Sequence, residues 1–420
     1  MPSRKASNMT TWDRLRSIGD AAYSPGLRMH FARVLVLGLV ALAPWIRVEA
    51  QDEPLEPLSP EAQAAADHLK GALPADSEAR AMLDDILAGS QLGPRDGWFK
   101  TAVSQTRYTW DRVRTQLDRN HDDQLDRSEF PGTDDEFSRV DRTRDNRVTA
   151  EDFDWKIDPS KPPAPGVLLF LQSDRDGNGQ VTQDEFLELF KQLDSGDAGF
   201  LSVDDVRDKF IPPPSDGPQP ERPDKPSRST LVLGLQRQEI GSLQPGPRVD
   251  EPAPEFSLQS LSGDAVALSR EIGDKPIVLV FGNFSCGPFR TQSGNLQKLY
   301  ERNRAHAKFF TVYVREAHPS DGWWMLQNRR VGVDLTQPKT DAERRIVANR
   351  CRDHLKLEIP FLVDSVNDAV GVAYSGMPNR IYLIDGEGRV AFKSGRGPFG
   401  FRVAEFEQAL IWHRWCSKRE

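Results

Sequence analysis

Short apolar runs separated by helical patterns dominate the C-terminal part of the chain. The runs cover residues 276–281, 308–314, 359–363 and 380–384, and they are rich in Val, Ile, Phe and Tyr. Runs of this length and composition are typical of buried strands, whereas the stretches between them are long and polar enough for helices. The alternation predicts an α/β domain over residues 250–420.

A different pattern occupies residues 98–210, where acidic loops alternate with short amphipathic helices. Residues 51–97 begin Pro-rich and continue through Ala-rich helical patterns, to which we assign no chemistry. Residues 211–249 form a predicted Pro-rich linker, with seven prolines between positions 211 and 228. Such a linker is stiff and extended, so we expect the acidic region and the α/β domain to unfold independently.

The first 50 residues have the pattern of a secretory signal. Basic residues precede a short apolar run at 34–46, and small residues follow it at 48–50. The run is shorter than the ~20 residues that a membrane-spanning helix needs. We therefore expect export to a secreted, periplasmic or cell-envelope location, with no transmembrane span in the mature protein; an uncleaved signal anchor is the alternative.

Charge and cysteine content restrict the functional classes. The chain has 420 residues and a net charge of −8, which argues against a general nucleic-acid-binding protein. Between Asp118 and Asp205 there are 23 acidic and 10 basic residues, and such a concentration of negative charge is typical of cation binding. The three cysteines, Cys286, Cys351 and Cys416, are too few for a disulfide scaffold.

The acidic segment contains loops with the ligand spacing of calcium sites. From Asp174, a 12-residue stretch has oxygen-bearing side chains at positions 1, 3, 5 and 9, Gly at position 6 and Glu at position 12. This is the EF-hand pattern, in which Ca²⁺ takes about six to eight oxygens from alternate positions of a turn. A second match begins at Asp118, with Asp123 replacing the turn glycine. A weaker one begins at Asp141 and ends in Asp152, which reaches less far than Glu.

The loops are spaced as two pairs. A fourth loop, from Asp194, lacks side-chain oxygens at positions 3 and 5, and we expect it to be a structural partner that pairs with the third through its backbone. The predicted cofactor is therefore Ca²⁺ in loops one to three. The predicted ligands are Asp118, Asn120, Asp122, Gln124, Glu129, Asp141, Thr143, Asp145, Arg147, Asp152, Asp174, Asp176, Asn178, Gln180 and Glu185.

A redox pattern lies in the α/β domain. The strand at 276–281 leads into Cys286-Gly-Pro-Phe289 and then into a helical stretch. A cysteine at such a junction lies where the helix dipole and free amides favour the thiolate. The segment resembles the thioredoxin Cys-x-x-Cys motif with its second cysteine replaced by Phe289, and Pro378 lies where that fold has a cis-proline. The predicted fold class is thus multidomain, an all-α EF-hand region followed by an α/β thioredoxin-like domain.

A closer resemblance extends over about residues 250–401. The segments 281–289, 312–323 and 395–400 are similar to the iodothyronine deiodinase family, above all through Glu316-Ala-His-Pro-Ser-Asp-Gly-Trp323. The resemblance implies that Cys286 is the nucleophile, at the position of the family's selenocysteine. It further implies that His318 and Glu316 hold or protonate an iodophenol-type substrate, and that a thiol reductant regenerates the enzyme.

The chain departs from the family at two cysteine positions. Cysteine replaces selenocysteine, which makes a weaker nucleophile, and Phe284 stands where the family has a nearby cysteine. Cys351 is the best remaining candidate for a resolving thiol, although the sequence favours a buried apolar role for it. We therefore expect thiol-dependent reduction of an unidentified substrate, for which a small aromatic compound is a candidate, in place of thyroid-hormone deiodination.

Three functions fit these observations. The first is an exported calcium-binding thiol oxidoreductase with a deiodinase-like site, whose partners are calcium ions and a thiol reductant. The second is a peroxiredoxin-type peroxidase, against which stands Asn283 in place of the threonine expected three residues before the nucleophile. The third is a non-catalytic, calcium-stabilised envelope protein that uses a thioredoxin-like module for binding.

Overall fold

The computed structural model describes residues 55–90, 102–156, 164–207, 209–210 and 223–416. The predicted signal at 1–50 and the most Pro-rich part of the linker lie outside these residues. The helices, in chain order, are α1 (Pro60–Ala72), α2 (Glu78–Leu87), α3 (Trp110–Leu117), α4 (Asp134–Val140), α5 (Pro165–Ser173), α6 (Gln183–Leu193), α7 (Val203–Val206), α8 (Arg228–Gln236), α9 (Leu268–Glu271), α10 (Gly287–Thr291), α11 (Ser293–Asn303), α12 (Leu326–Arg330), α13 (Asp341–Leu355), α14 (Ala369–Ala373) and α15 (Val403–Cys416). A 3₁₀ turn covers Ala150–Phe153.

A mixed β-sheet forms the centre of the C-terminal half. Its strands are β1 (Gln105–Thr106), β2 (Ser257–Ser260), β3 (Ala265–Ala267), β4 (Ile277–Gly282), β5 (Lys308–Tyr313), β6 (Phe361–Val363), β7 (Arg380–Ile384) and β8 (Val390–Lys393). They lie in the order β1-β8-β7-β4-β5-β6-β2-β3. Every residue of β4 and β7 is buried, because helices cover both faces of the sheet and a continuous apolar run suits such a position.

The strand directions agree with the predicted thioredoxin-like α/β domain. Strand β4 runs parallel to β5 and antiparallel to β7, and β7 continues into the antiparallel β8. The crossover from β4 to β5 carries α10 and α11, which places the end of β4 beside the start of a helix. Cys286 lies at this junction.

Three helices form a small bundle, here called the helical cap, composed of α1, α2 and α8. Alanines and leucines of α1 pack against α2 and α8 in an apolar cluster separate from the main core. Each helix begins at a serine whose hydroxyl accepts a backbone hydrogen bond, namely Ser59, Ser77 and Ser227. Helix α8 lies within the predicted linker, so this part of the linker is helical and not extended.

The acidic region and the sheet domain share one hydrophobic core. Leu125 of loop one and Val148 of loop two form an antiparallel bridge, as expected for a pair of loops. The Phe130 ring then meets Trp412 of α15 edge-on at 5.6 Å, and Phe153 stacks on the same indole at 5.8 Å. The expectation of two independent halves is therefore wrong, because the last helix of the α/β domain completes the core of the first loop pair.

No helix among the described residues is both long and apolar enough to cross a lipid bilayer.

Candidate active site and calcium loops

Cys286 lies at the N-terminal end of α10, directly after β4 and its connecting turn. Its backbone carbonyl accepts the hydrogen bond of Arg290 N at 3.2 Å, which begins the helix. Only 1% of the residue is exposed. The thiol is therefore at the predicted strand-to-helix junction, but it is covered by other parts of the chain.

A small cavity of about 60 Å³ brings the predicted catalytic residues together. Cys286, His318 and Pro378 all line it, although they come from three separate segments of the chain. The Met377–Pro378 peptide bond is cis, as expected for this position. The cavity wall is otherwise apolar, which is typical of a site that binds an uncharged or aromatic group.

The environment of Cys286 disfavours its ionised form. Burial raises the pKa of the thiol from 9.0 to about 11, and this effect outweighs the opposing influence of the nearby Arg290. The thiol is therefore protonated at neutral pH in this closed arrangement. The partly ionised sulfur expected from the helix start is not present, because water is excluded more strongly than the short helix α10 can offset.

Asn379 is a further residue of the site, and sequence reasoning missed it. Its Nδ2 lies 3.0 Å from Cys286 Sγ and donates to it, and the residue is fully buried. A side chain at Gly397 would stand 1.5 Å from Asn379 Oδ1, so the close approach of this glycine holds the amide in place. Its position directly after Pro378 was the available signal.

Glu316 supports the loop before the nucleophile and does not line the cavity. Its carboxylate accepts the Ser285 backbone N–H at 2.8 Å and the Tyr313 hydroxyl. Burial raises the pKa of Glu316, although these hydrogen bonds act against the shift. The geometry thus differs from the substrate-contacting role that the family resemblance implies, because Glu316 touches the backbone next to Cys286.

His318 faces the cavity in its neutral form. Its Nδ1 lies 3.1 Å from the Trp323 carbonyl oxygen, and its ring packs edge-on against the Trp323 indole at 4.6 Å. The loss of hydration in this environment lowers the pKa of His318 to about 4. At neutral pH the imidazole therefore carries one proton, and the carbonyl contact places it on Nδ1, which leaves Nε2 as an acceptor.

Cys351 is fully buried on α13, and the structure contains no disulfide to it. Burial raises the pKa of its thiol well above the usual value, and nearby Glu316 adds to the effect. On the same helix, Arg350 and His354 pack against the Phe284 ring. Cys351 therefore lies close to the nucleophile's loop but in a dry, unreactive setting, like the buried Cys416.

Carboxylates converge in the first and third calcium loops. Oxygens of Asp118, Asp122 and Glu129 lie within 4.8 Å of one another in loop one. Oxygens of the corresponding residues of loop three, Asp174, Asp176 and Glu185, meet the same limit. In both loops, carboxylates accept backbone N–H groups of the turn, as at Gly179 N, which bonds to Asp174 Oδ2 at 3.0 Å. Hard oxygens at this spacing suit Ca²⁺.

Loops two and four are less complete. The Asp152 carboxylate accepts backbone N–H groups of Arg142 and Thr143, and among the described residues no three-carboxylate cluster occurs in loop two. The Arg147 side chain reaches across to Gln124 Oε1 at 2.7 Å. No β-bridge joins loop four to loop three within the described part of the chain, so the expected backbone pairing there is not seen.

Loop three packs directly on the helices around the nucleophile. The Ser293 hydroxyl donates to the Asn178 carbonyl oxygen, and Gln180 Nε2 donates to the Leu355 carbonyl oxygen at 2.8 Å. Gly179 has a φ of +77°, and a side chain there would stand 2.0 Å from the Arg290 carbonyl oxygen. The third loop therefore contacts both α11, which follows the nucleophile, and α13, which carries Cys351.

The C-terminal part of the chain is similar to a known protein family. Residues 237–413 match the iodothyronine deiodinase family model. Thyroxine 5-deiodinase of Sparus aurata is 32% identical over 152 residues, which are 34% of this chain and 51% of the relative. Type I iodothyronine deiodinase of Xenopus laevis is 27% identical, over 37% of this chain and 60% of the relative. The chain thus spans about half the length of the curated relatives it matches.

Two of the solved structures that are similar to this chain are described as thiol–disulfide or disulfide oxidoreductases. The thioredoxin domain of a Bacteroides vulgatus enzyme is 17% identical with a TM-score of 0.28, and covers 40% of this chain and 97% of its own. A secreted Mycobacterium tuberculosis disulfide oxidoreductase is 15% identical with a TM-score of 0.27, and covers 37% of this chain and 93% of its own. The stretch of this chain that is similar to the iodothyronine deiodinase family is residues 237–413, which make up less than half of its length.

Proposed function

We propose that the protein is a thiol-dependent oxidoreductase with a deiodinase-like site, in which Cys286 is the nucleophile. The observation that carries this proposal is the shared cavity of Cys286, His318 and Pro378 inside the domain that matches the deiodinase family. The curated relatives are deiodinases, which supports an oxidoreductase and leaves the substrate of this chain open. A small aromatic compound suits the apolar wall.

The reaction that fits these groups is a two-electron reduction. With an aryl iodide, the Cys286 thiolate attacks iodine, the C–I bond breaks, and the ring carbon takes a proton while an S–I bond forms. A reductant thiol then displaces iodide from sulfur and leaves a mixed disulfide. A second thiol of the reductant releases Cys286, so one dithiol is oxidised to a disulfide for each C–I bond reduced.

Residues around the sulfur have distinct roles in this scheme. Asn379 Nδ2 donates to Sγ at 3.0 Å and stabilises the thiolate when it forms. Neutral His318 offers Nε2 as an acceptor for a phenolic hydroxyl, and Trp323 provides a flat wall. Glu316 acts through Ser285 as a positioning residue. Because Cys351 is dry and protonated, we assign regeneration to an external thiol reductant and not to Cys351.

The proposal includes calcium binding and export. Loops one and three have the oxygen donors and spacing that Ca²⁺ requires, and loop two is a weaker third site. Bound calcium would neutralise clustered carboxylates and stiffen the acidic region. Isothermal titration with CaCl₂ tests this directly: wild type should bind at least two ions, and Glu129→Gln with Glu185→Gln should remove both. Export rests on the apolar run at 34–46.

A turnover screen tests the catalytic proposal. Wild type, Cys286→Ser and the control Cys416→Ser are incubated with a dithiol reductant and with iodophenols, hydrogen peroxide or protein disulfides. Turnover of an iodophenol or a disulfide that Cys286→Ser loses and Cys416→Ser keeps supports the proposal. Peroxide consumption alone would favour a peroxidase.

The non-catalytic alternative also has an observation in its favour, namely the 1% exposure of Cys286 and its raised pKa. A protein that turns over none of these substrates, in the presence or absence of calcium, would be a binding module.

A further inference from the structure

The helical cap covers the cavity that contains Cys286. Met82 of α2 and Ile240, just after α8, line the cavity from the cap side, opposite His318 and Pro378. Trp323 and Phe399 of the α/β domain pack against the apolar cluster of the cap. A cavity of about 60 Å³ is too small for an aromatic substrate, because a cavity that holds benzene has about 150 Å³. Access to Cys286 therefore requires the cap to move.

One carboxylate fastens the cap to the α/β domain. Glu78, in the first turn of α2, approaches Arg380 Nη2 at 2.7 Å and Arg396 Nε at 3.2 Å. Both arginines are almost fully buried, whereas the Glu78 side chain is 23% exposed. Burial alone would raise the pKa of Glu78, but the two arginines outweigh it and lower the pKa below its ordinary value, so the carboxylate is ionised.

The contact between the cap and the α/β domain depends on the charge of Glu78. Lys393 lies in the same cluster, so Glu78 faces three basic side chains. Within the described part of the chain, Nε and Nη1 of Arg380 have no hydrogen-bond partner. Removing one member of a buried ion pair leaves uncompensated charge, which favours entry of water. Another ion pair of the cap, Glu61 with Arg237, has both side chains more than half exposed, and neither residue lines the cavity.

We propose that the helical cap is an autoinhibitory lid, closed over Cys286 and latched by Glu78 on Arg380 and Arg396. In the closed state the thiol is covered and the cavity is too small for substrate. In the open state Met82 and Ile240 leave the cavity wall, and Cys286 is exposed to substrate and reductant. The role of the lid in catalysis rests on the proposed function, whereas the motion itself does not.

Labelling of Cys286 tests the lid without reference to turnover. The rate of Cys286 alkylation by iodoacetamide is measured at pH 8 by mass spectrometry in wild type, Glu78→Gln and the matched cap variant Glu61→Gln. We expect at least a tenfold faster rate in Glu78→Gln and less than a twofold change in Glu61→Gln. A folded Glu78→Gln protein that is labelled at the wild-type rate would overturn the proposal.

A wild-type measurement covers the case in which Glu78→Gln does not fold. Alkylation of Cys286 is followed in urea concentrations below the unfolding transition, with Cys351 as the internal control. Opening of the lid exposes part of the surface that global unfolding exposes, so Cys286 labelling should depend on urea less steeply than Cys351 labelling. Equal slopes for the two cysteines would contradict a lid. Faster labelling without any turnover would refute the catalytic proposal and leave the lid in place.

Discussion

The shared core of the acidic region and the α/β domain leads to a quantitative prediction about Phe130→Ala. Phe130 is 3% exposed and packs edge-on against Phe137 at 5.5 Å and Trp412 at 5.6 Å. Truncating a buried phenylalanine to alanine costs about 3–5 kcal/mol of unfolding free energy, because it removes buried area and leaves a cavity. With a urea m-value of about 3 kcal/mol/M, the unfolding midpoint should fall by about 1–1.7 M.

Two probes in different parts of the molecule distinguish a shared core from independent halves. Tryptophan fluorescence reports on the nine tryptophans, including Trp110 and Trp155 of the acidic region, whereas pulse alkylation of the buried Cys351 follows α13 of the α/β domain. We expect both probes to give one coincident transition that moves by the same amount in Phe130→Ala. The control is Phe200→Ala, whose ring is 64% exposed and whose loss should change stability by no more than about 0.5 kcal/mol.

Two separate transitions, of which only the fluorescence transition moves, would refute the argument. In that case the ring contacts with Trp412 would be too weak to couple the regions, and the sequence-based expectation of independent halves would be restored.

Three further predictions concern charge. The Cys286 thiolate is followed by its absorbance at 240 nm, as the difference between wild type and Cys286→Ser, and it should titrate near pH 11. Asn379→Leu removes the hydrogen bond to the sulfur and should raise this midpoint further. A wild-type midpoint at or below pH 9 would contradict the argument that burial disfavours the thiolate. Chelation of calcium should lower the melting temperature of one common transition. If calcium is present at 100 times its Kd before chelation, each site should lose about 2.7 kcal/mol of unfolding free energy, and Asp174→Asn should reduce that loss. A shift confined to one of two transitions would count against the coupling. Burial lowers the pKa of Lys393 from 10.5 to about 7, so above pH 7 the unfolded chain binds more protons than the folded one. The free energy of unfolding should therefore rise by up to about 1.4 kcal/mol per pH unit between pH 7 and 8.5. Lys393→Met should flatten this rise, and an unchanged pH dependence in urea titrations of the variant would refute the role of Lys393.

Local patterns in the sequence were sufficient for several parts of the structure. The all-apolar run of β4 predicted a central strand, and its junction with α10 correctly located Cys286 at a helix start. The ligand spacing of loops one and three lies within 12 residues, so it needs no tertiary information. The cis bond before Pro378 was also anticipated, since it belongs to a recognisable motif.

Other features depend on residues that are remote in the chain. Asn379 reaches the Cys286 sulfur over 93 positions, and Glu78 reaches Arg380 over 302. Neither spacing leaves a periodic or compositional signal. The predicted stiff linker likewise gave no indication that α8 would join α1 and α2 in one bundle.

The sequence by itself determined where the sulfur and carboxylate atoms lie along the chain, because residue type and spacing within a turn are local properties. Only the tertiary structure decided the state of those atoms. It covers Cys286 with the helical cap, which raises its pKa, and it uses Trp412 to join the calcium loops to the sheet domain. Burial and electrostatic environment are sums over every neighbouring segment, so they are defined only once the chain has folded.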